Sequence, residues 1–448
     1  MIRSRAVPFA VCVFALVSVG SGPAQTITGA VVRPPLPSPL TLAEAERLLV
    51  ERSLGVENAR HLVAAARAAR QIAGFKPNPT LQLGAEQFPF ASPLPGTVPR
   101  FFSTDSNAGA QPTYTVQVTK VVERGGKREL RVAQADESVQ SAQFQVLDTL
   151  RQQLFQLRQA FANALVAREN LRLAESIAQQ YDRTEQLTLV KVRAGDLAPM
   201  ETYRVRAGRL QYVQAVIDAR TTYELATRDL LNLLNASPSD IVARNASAAS
   251  APFEIAGEFT DSPVGLSLDD LRAMTLESRP DVQLARHNLL AAERAVELAR
   301  AQRARDVWAS MEYQRVGDDH SVGLITQIPL FLYNNQRAGI TQAEAQRRAT
   351  EAVLRQVERQ ASTDVEKAYQ SYLAAKQALT LYSTDNIVQV QRLQDIAEFT
   401  FRQGNTSLFE FLEVQRMTRQ ALMAFNQARA TYQVSLWQLE QATGKPVF

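Results

Sequence analysis

The chain has 448 residues, 46% of them hydrophobic and 21% charged, with a mean hydropathy of −0.18. Its 49 Lys and Arg stand against 45 Asp and Glu, and the bases are scattered beside Glu and Gln instead of massed in blocks, which argues against a nucleic-acid partner despite a pI near 9.2. Beyond the amino-terminal run no segment approaches the roughly 18 consecutive apolar residues of a membrane helix, so any membrane-seated form of the chain has to be a closed β-barrel.

Residues 1–24 have the pattern of a signal peptide: Arg3 and Arg5 precede an apolar run from Ala6 to Val19, followed by small residues toward Ala24. Export is therefore expected. The single cysteine, Cys12, lies inside that run and leaves with it, so the exported chain has no disulfide, thiolate nucleophile or Cys metal ligand. Flanked by Val11 and Val13, it is also wrongly placed for a lipidated first residue. A Pro-rich stretch, 25–40, comes next.

A first structural unit is expected over 41–235. Its opening helix runs from about Thr41 to Phe75, with Thr41 and Glu44 forming a capping box and Pro77-Asn78-Pro79 ending it. Strands follow at about 79–88 and 113–122, where polar and apolar residues alternate as in Thr80-Leu81-Gln82-Leu83 and Tyr114-Thr115-Val116-Gln117-Val118. A period of two with one polar face suits a strand between lipid and a wet lumen. A Pro-rich loop, Phe88 to Pro112, joins them. After Gly125-Gly126 there is no Gly or Pro until Gly195, which predicts one very long helix, about 100 Å at 1.5 Å per residue. Within it Leu147, Leu150, Leu154, Leu157 and Phe161 recur at spacings of three and four, a coiled-coil stripe. A tight turn at Arg193-Ala194-Gly195-Asp196-Leu197 leads into a return helix ending near Asn235.

Residues 236–265, rich in Ala, Ser and Pro, form a connector, read either as wrapped around the middle of the molecule or as a disordered linker. A second unit, 266–443, then repeats the first, with a tail at 444–448. Leu42–Ile72 aligns with Leu268–Leu298, both copies containing Ala-Arg-His; Arg128 aligns with Arg337, and Arg193-Ala194-Gly195 with Arg402-Gln403-Gly404. The second copy's strands are expected at about 307–315 and 321–330, joined by a polar turn around Gly317-Asp318-Asp319-His320. Its strand-to-helix turn is Asn334-Asn335, where the first copy has Gly125-Gly126. Another uninterrupted helix and a second tight turn, Arg402-Gln403-Gly404-Asn405-Thr406-Ser407, complete it.

The lengths interlock. In each copy the helices before the strands and after the turn together match the long helix, so they can flank it end to end. Such a rod buries little of itself and leaves two sheet edges open. Closure of several copies into a ring removes both problems.

Over essentially its whole exported length the chain resembles the TolC-like outer-membrane efflux family. Pro77-Asn78-Pro79-Thr80-Leu81 entering the first strand and Glu123-Arg124-Gly125-Gly126-Lys127-Arg128 leaving the second are similar to its CzcC-like heavy-metal branch. The resemblance implies a mainly α fold: a tandem-duplicated protomer of long coiled-coil hairpins in an α-barrel, plus four β-strands contributing to a trimeric, 12-stranded outer-membrane β-barrel. It implies no enzymatic activity and no cofactor. The partners it implies are two further copies, outer-membrane lipid, a periplasmic membrane-fusion adaptor and an inner-membrane pump of the RND type. Heavy-metal cations are the expected cargo; multidrug export and type I secretion use the same fold.

By the same resemblance the hairpin tips (Arg193, Gly195, Asp196, Leu197; Arg402, Gly404, Asn405, Thr406, Ser407) contact the adaptor. Glu410 and Glu413 match two acidic positions lining the family's periplasmic entrance, although aspartates are usual there and Thr406 stands where some members place a locking arginine. Spaced three apart, they share a helix face, and around a threefold axis they would form carboxylate rings able to select cations; a solvated helix face is the plain alternative. Glycine at each tip is also explained by the chain reversal alone. His61, His287 and His320 have no metal-site spacing; the first two occupy equivalent repeat positions, which suggests helix packing, and His320 is expected in an exposed turn. Trp308 and Tyr114 are either interfacial anchors or ordinary strand aromatics. A periplasmic coiled-coil adaptor without a pore, or a helical periplasmic enzyme, are the readings from other classes.

Overall fold

The computed structural model describes residues 36–86, 112–236, 254–259, 263–382 and 384–447. The signal peptide, most of the Pro-rich stretch and of the connector, and the loop between the first two strands lie outside these residues.

Helix α1, Leu42–Arg52, opens on the expected capping box: Thr41 accepts from the Glu44 amide, and Glu44 accepts back from the Thr41 amide at 3.0 Å. The opening helix is not single. It stops at Ser53, whose extended backbone ends α1 while its hydroxyl accepts from the Val56 amide at 3.2 Å and starts α2, Leu54–Gly74. The second copy breaks at the aligned place, between α5, Leu268–Ser278, and α6, Pro280–Ala301. There the cause is legible in the sequence, since the residue before a proline is driven out of the α region, and Arg279 takes φ −69°, ψ 123°.

Strand β1 is Thr80–Glu86 and β2 is Thr113–Val122. Helix α3, Lys127–Ala194, runs 68 residues without a break. Helix α4, Pro199–Leu233, returns along its far part, and α1 and α2 flank its near part, so the end-to-end stacking holds. In the second copy β3 is Val307–Val316 and β4 is Asp319–Gln327. The turn between them is tighter than expected: Asp319 pairs with Val316 and His320 with Arg315, leaving only Gly317 (φ 59°) and Asp318 outside the ladder. The strand ends at Gln327, short of the expected 330, because Pro329 has no N–H to give a ladder.

The second long helix is interrupted, contrary to the reading from its lack of Pro and its single glycine, Gly339. Helix α7, Arg337–Leu381, ends with Tyr382 at φ −102°, ψ 39°, and α8, Thr384–Gln403, resumes beyond it. The Asn386 amide donates to the Leu381 carbonyl at 2.9 Å, satisfying one of the orphan acceptors of the α7 terminus. After the second tip, α9 spans Leu408–Thr443.

The four strands form one antiparallel sheet in the order β1-β2-β3-β4, so the middle ladder, β2 with β3, joins the two copies. The largest core lies where α1, α3 and α4 meet: Leu49, Leu157, Phe161, Leu230 and Leu234 are buried with Leu40 and Ile255, which bridge in parallel and tie the Pro-rich stretch to the connector. Leu147, at the start of the expected stripe, is half exposed in the single chain. Charged links cross the same level: Arg158 reaches Glu46 at 2.6 Å and also Glu440, and buried Arg279 reaches Asp281 at 2.9 Å and Asp364 at 2.7 Å. Burial pushes the Glu440 carboxyl above its ordinary value, against the pull of Arg158.

Candidate functional site

The register resolves the sheet into two chemically opposite faces, because partners across an antiparallel ladder point to the same side. On one face Leu81, Val118, Met311 and Leu324 make one row and Leu83, Val116, Tyr313 and Val322 the next. All eight are exposed, from 40% at Val116 and Tyr313 to 84% at Leu324. On the other face the row between them reads Gln82, Gln117, Glu312, Gly323, and the next one out reads Gly84, Thr115, Gln314, Ser321. Beside these, the Thr119 and Ser310 hydroxyls bond at 2.8 Å. An exposed apolar face backed by a polar one, with β1 and β4 as open edges, is unfit for water alone. Among the described residues no helix is long and apolar enough to cross a membrane.

Each strand-to-helix turn puts backbone in the left-handed region. Gly125 and Gly126 have φ 77° and 68°, and a Cβ on Gly125 would meet Ala304 Cβ at 2.6 Å, so only glycine fits that crossing. In the second copy Asn334 and Asn335 accept from the amides of Gln336 and Arg337 at 3.0 and 3.2 Å, and this support holds Gln336 at φ 63°. The first of these turns is also tied to the α6–β3 crossing of the second copy, since Asp306 accepts from the Arg124 amide at 2.9 Å and from Lys127 Nζ at 2.8 Å.

At the opposite ends of the long helices the two hairpin tips come together. Arg193 lies in the last turn of α3, and Gly195 (φ 88°) donates to the Val192 carbonyl while Asp196 donates to Lys191 at 2.9 Å. Gly404 (φ 84°) and Asn405 repeat this with Phe401 and Thr400. Thr406 donates to the Thr400 hydroxyl at 2.8 Å, Ser407 caps α9, and Arg402 pairs with Glu398 one turn back. Leu197 packs into a core of Val205, Ala397, Phe401, Leu408 and Phe411 shared by both hairpins. The rings of Phe401 and Phe411 stack with centroids 4.9 Å apart and 2° between planes, and Lys191 Nζ lies 5.4 Å from the Phe401 ring.

Glu410 and Glu413 sit just past this core, and both have partners. Glu410 is the far half of a capping box: its amide donates to the Ser407 hydroxyl and its carboxylate accepts from the Ser407 amide, each at 3.2 Å. Ser407 followed three residues on by Glu410 is the sequence signature of such a box. Glu413 accepts from Arg416 at 2.9 and 2.5 Å, and this guanidinium holds its carboxyl below the ordinary range.

Arg416 was not among the residues singled out by sequence, nor was the stripe beyond it. Gln415 and Thr418 are buried, and their side-chain polar atoms have no hydrogen-bond partner among the described residues. Arg419 lies 5.3 Å from the Tyr212 ring, which stacks on Tyr181 at 4.0 Å. Burial raises the Tyr181 hydroxyl far above its ordinary value.

The histidines diverge. His287 stacks on Phe144 and lies 2.7 Å from Glu137, whereas its repeat equivalent His61 is exposed beside Glu57. His320 is in β4, 2.5 Å from the Tyr313 hydroxyl. Among the described residues no three His, Cys, Asp or Glu gather as metal ligands.

Residues 271–445, most of the second copy with the first residues of the tail and less than half of the chain, match the family model for outer membrane efflux proteins. No curated protein matches the chain in sequence. Several solved structures share its fold. The outer membrane protein VceC of Vibrio cholerae is 18% identical with a TM-score of 0.69, over 91% of this chain and 97% of that one. CusC, described for transmembrane channel formation, is 15% identical with a TM-score of 0.71, over 90% and 92%. The Campylobacter jejuni CmeC outer membrane channel is 14% identical with a TM-score of 0.71, over 90% and 85%. The fold of this chain, long helical hairpins with a small four-stranded sheet, is therefore the one these outer-membrane channel structures have.

Proposed function

We propose that three copies of this chain close into a passive efflux duct through the outer membrane of a Gram-negative bacterium. The strands of each copy supply a third of one barrel, and the helices form a tube reaching into the periplasm. The two-faced sheet carries this reading. Its apolar rows face outward to lipid, its Gln, Thr and Glu rows line a wet lumen, and ring closure pairs the β4 edge of one copy with the β1 edge of the next. A coiled-coil scaffold without a pore is less compatible, because β2 and β3 pair across the two copies into one continuous sheet.

In this reading the duct is passive, and the energy comes from an inner-membrane pump of the RND type, reached through a periplasmic adaptor that grips the hairpin tips at Gly195 and Gly404. Glu410 and Glu413 line the entrance, with Arg416 as a counter-charge that tempers any carboxylate ring. Heavy-metal cations are the cargo suggested by Pro77–Leu81 and Glu123–Arg128; multidrug and type I export remain the alternatives, since a passive duct takes its selectivity largely from its pump.

Membrane fractionation followed by mass measurement in detergent and planar-bilayer recording tests the proposal. The expected result is outer-membrane location, a three-copy mass and discrete conductance steps. A stable, water-soluble single chain without detergent would overturn it.

A further inference from the structure

The sheet meets the helices at four crossings, and each carries an exposed base. Lys76 lies between α2 and β1, Arg124 between β2 and α3, Arg305 between α6 and β3, and Arg337 opens α7 after β4. None of the four side chains forms an ion pair among the described residues. The acids at this level are engaged elsewhere: Asp306 with Lys127, Glu123 with Arg131 at 2.6 and 2.9 Å, and Glu129 with Arg128. The free charge of the junction is therefore positive, although the chain as a whole is close to balanced.

The segment that follows β4 adds a second element. Leu330 is 68% exposed, Leu332 77% and Tyr333 fully exposed, an apolar segment that follows exposed Ile328 where the chain leaves the sheet. Arg305 lies 5.6 Å from the neighbouring Phe331 ring. The aligned stretch of the first copy, Glu123 to Gly126, has nothing comparable. Aliphatic and aromatic side chains interleaved with free bases, at the edge of an apolar sheet face, suit the boundary where acyl chains give way to phosphates.

We infer that the sheet–helix junction is a collar that binds anionic phospholipid headgroups of the inner leaflet, with Lys76, Arg124, Arg305 and Arg337 on the phosphates and Leu330, Leu332 and Tyr333 among the upper acyl carbons. Lys120, on the apolar face one row above Val122 and Val307, is close enough to extend its amine to the same level. The inference rests on the barrel reading above. A neighbouring copy is the competing cover for the apolar segment; the bases argue for lipid, because the adjoining Phe75–Pro79 stretch offers no acid to meet them.

The test uses the full chain in detergent, titrated with phosphatidylglycerol or with phosphatidylcholine and followed by the lipid-induced rise in thermal midpoint. At about fivefold per base, the wild type binds phosphatidylglycerol at least tenfold more tightly. The fourfold variant Lys76→Gln/Arg124→Gln/Arg305→Gln/Arg337→Gln binds both within about twofold, and the Lys-for-Arg and Arg-for-Lys exchange at the same positions restores the preference. Equal binding of both lipids by the wild type, or a preference that survives neutralisation, overturns the inference. A fluorophore on Tyr333→Cys that brominated phosphatidylglycerol fails to quench does so too, by assigning the apolar segment to a neighbouring copy. Insertion into vesicles without anionic preference leaves the barrel standing and removes the collar, whereas failure to insert into vesicles of any composition removes both.

Discussion

Leu324 and Gly323 are adjacent in β4 and point to opposite faces, so the same substitution at both separates lipid from lumen within one residue. Leu324 shares a row with Leu81, Val118 and Met311, and Met311 lies midway along β3, Val307–Val316. The row is therefore near the centre of the apolar band. Arginine at the bilayer midplane of a barrel costs about 2–4 kcal/mol, or roughly 30- to 900-fold in folding equilibrium per chain. Leu324→Arg should lower the stability of the membrane-inserted protein by that amount. Gly323 lies across from Glu312, and a Cβ there meets nothing within 4 Å; Gly323→Arg places its charge beside a carboxylate in water and should change stability by no more than about 0.5 kcal/mol. Urea titration of folding into phospholipid vesicles, read by the resistance of the folded form to dissociation on unheated gels, measures both. Equal costs, or a larger cost at Gly323, would refute the assignment of faces and with it the barrel.

Phe411→Ala removes one of two stacked, fully buried rings and should destabilise the paired tips by about 3–5 kcal/mol, seen as faster hydrogen exchange confined to the α8–α9 turn; unchanged protection there would show that the ring pair does not hold the hairpins together. Gly404→Ala forces a side chain into the left-handed region and should cost about 1–2 kcal/mol in the same exchange assay. Glutamine can still serve a capping box, so Glu410→Gln with Glu413→Gln removes charge while keeping α9 capped, and should shift the reversal potential of single channels toward anions; an unmoved potential rejects the acidic entrance. Because Arg416 lowers the Glu413 carboxyl below its ordinary 4.5, whatever their pairing contributes is complete above that value and is lost only as pH falls through the lowered one. The Glu413 share of cation preference should therefore persist at pH 4.5 and fade below it, as followed by reversal potential across a pH series.

The duplication, the sheet and the long α3 were legible because each rests on a pattern spread over many residues: period two in the strands, spacings of three and four in the helix, and aligned motifs at constant separation. The breaks were not. Ser53 is an unremarkable residue in a helical pattern, and only its aligned partner Arg279, placed before Pro280, betrays the interruption. The α7–α8 break has no Gly or Pro at all; it depends on Asn386 reaching back to the Leu381 carbonyl, a local bond that competes with the helix. At the tips, position was legible and pairing was not. Glu410 and Glu413 were found as a shared face, but Arg416, on the adjoining turn, decides how much of Glu413's charge is free, and buried Gln415 and Thr418 read in sequence as ordinary polar helix residues.

The β2–β3 ladder has a further consequence. Since β1 belongs to the first copy of the duplication and β4 to the second, any ring of these chains alternates two kinds of seam, one inside a chain and one between chains, and both bring a first-copy strand edge to a second-copy strand edge. Neither copy alone needs its fellow to be covalently attached; it needs only a neighbour of the other type on each side. A half-length ancestor assembling six to a ring would satisfy the same contacts, and the connector, touching the rod through Ile255 and Phe259, is then the stitch that fixes the two types in strict alternation.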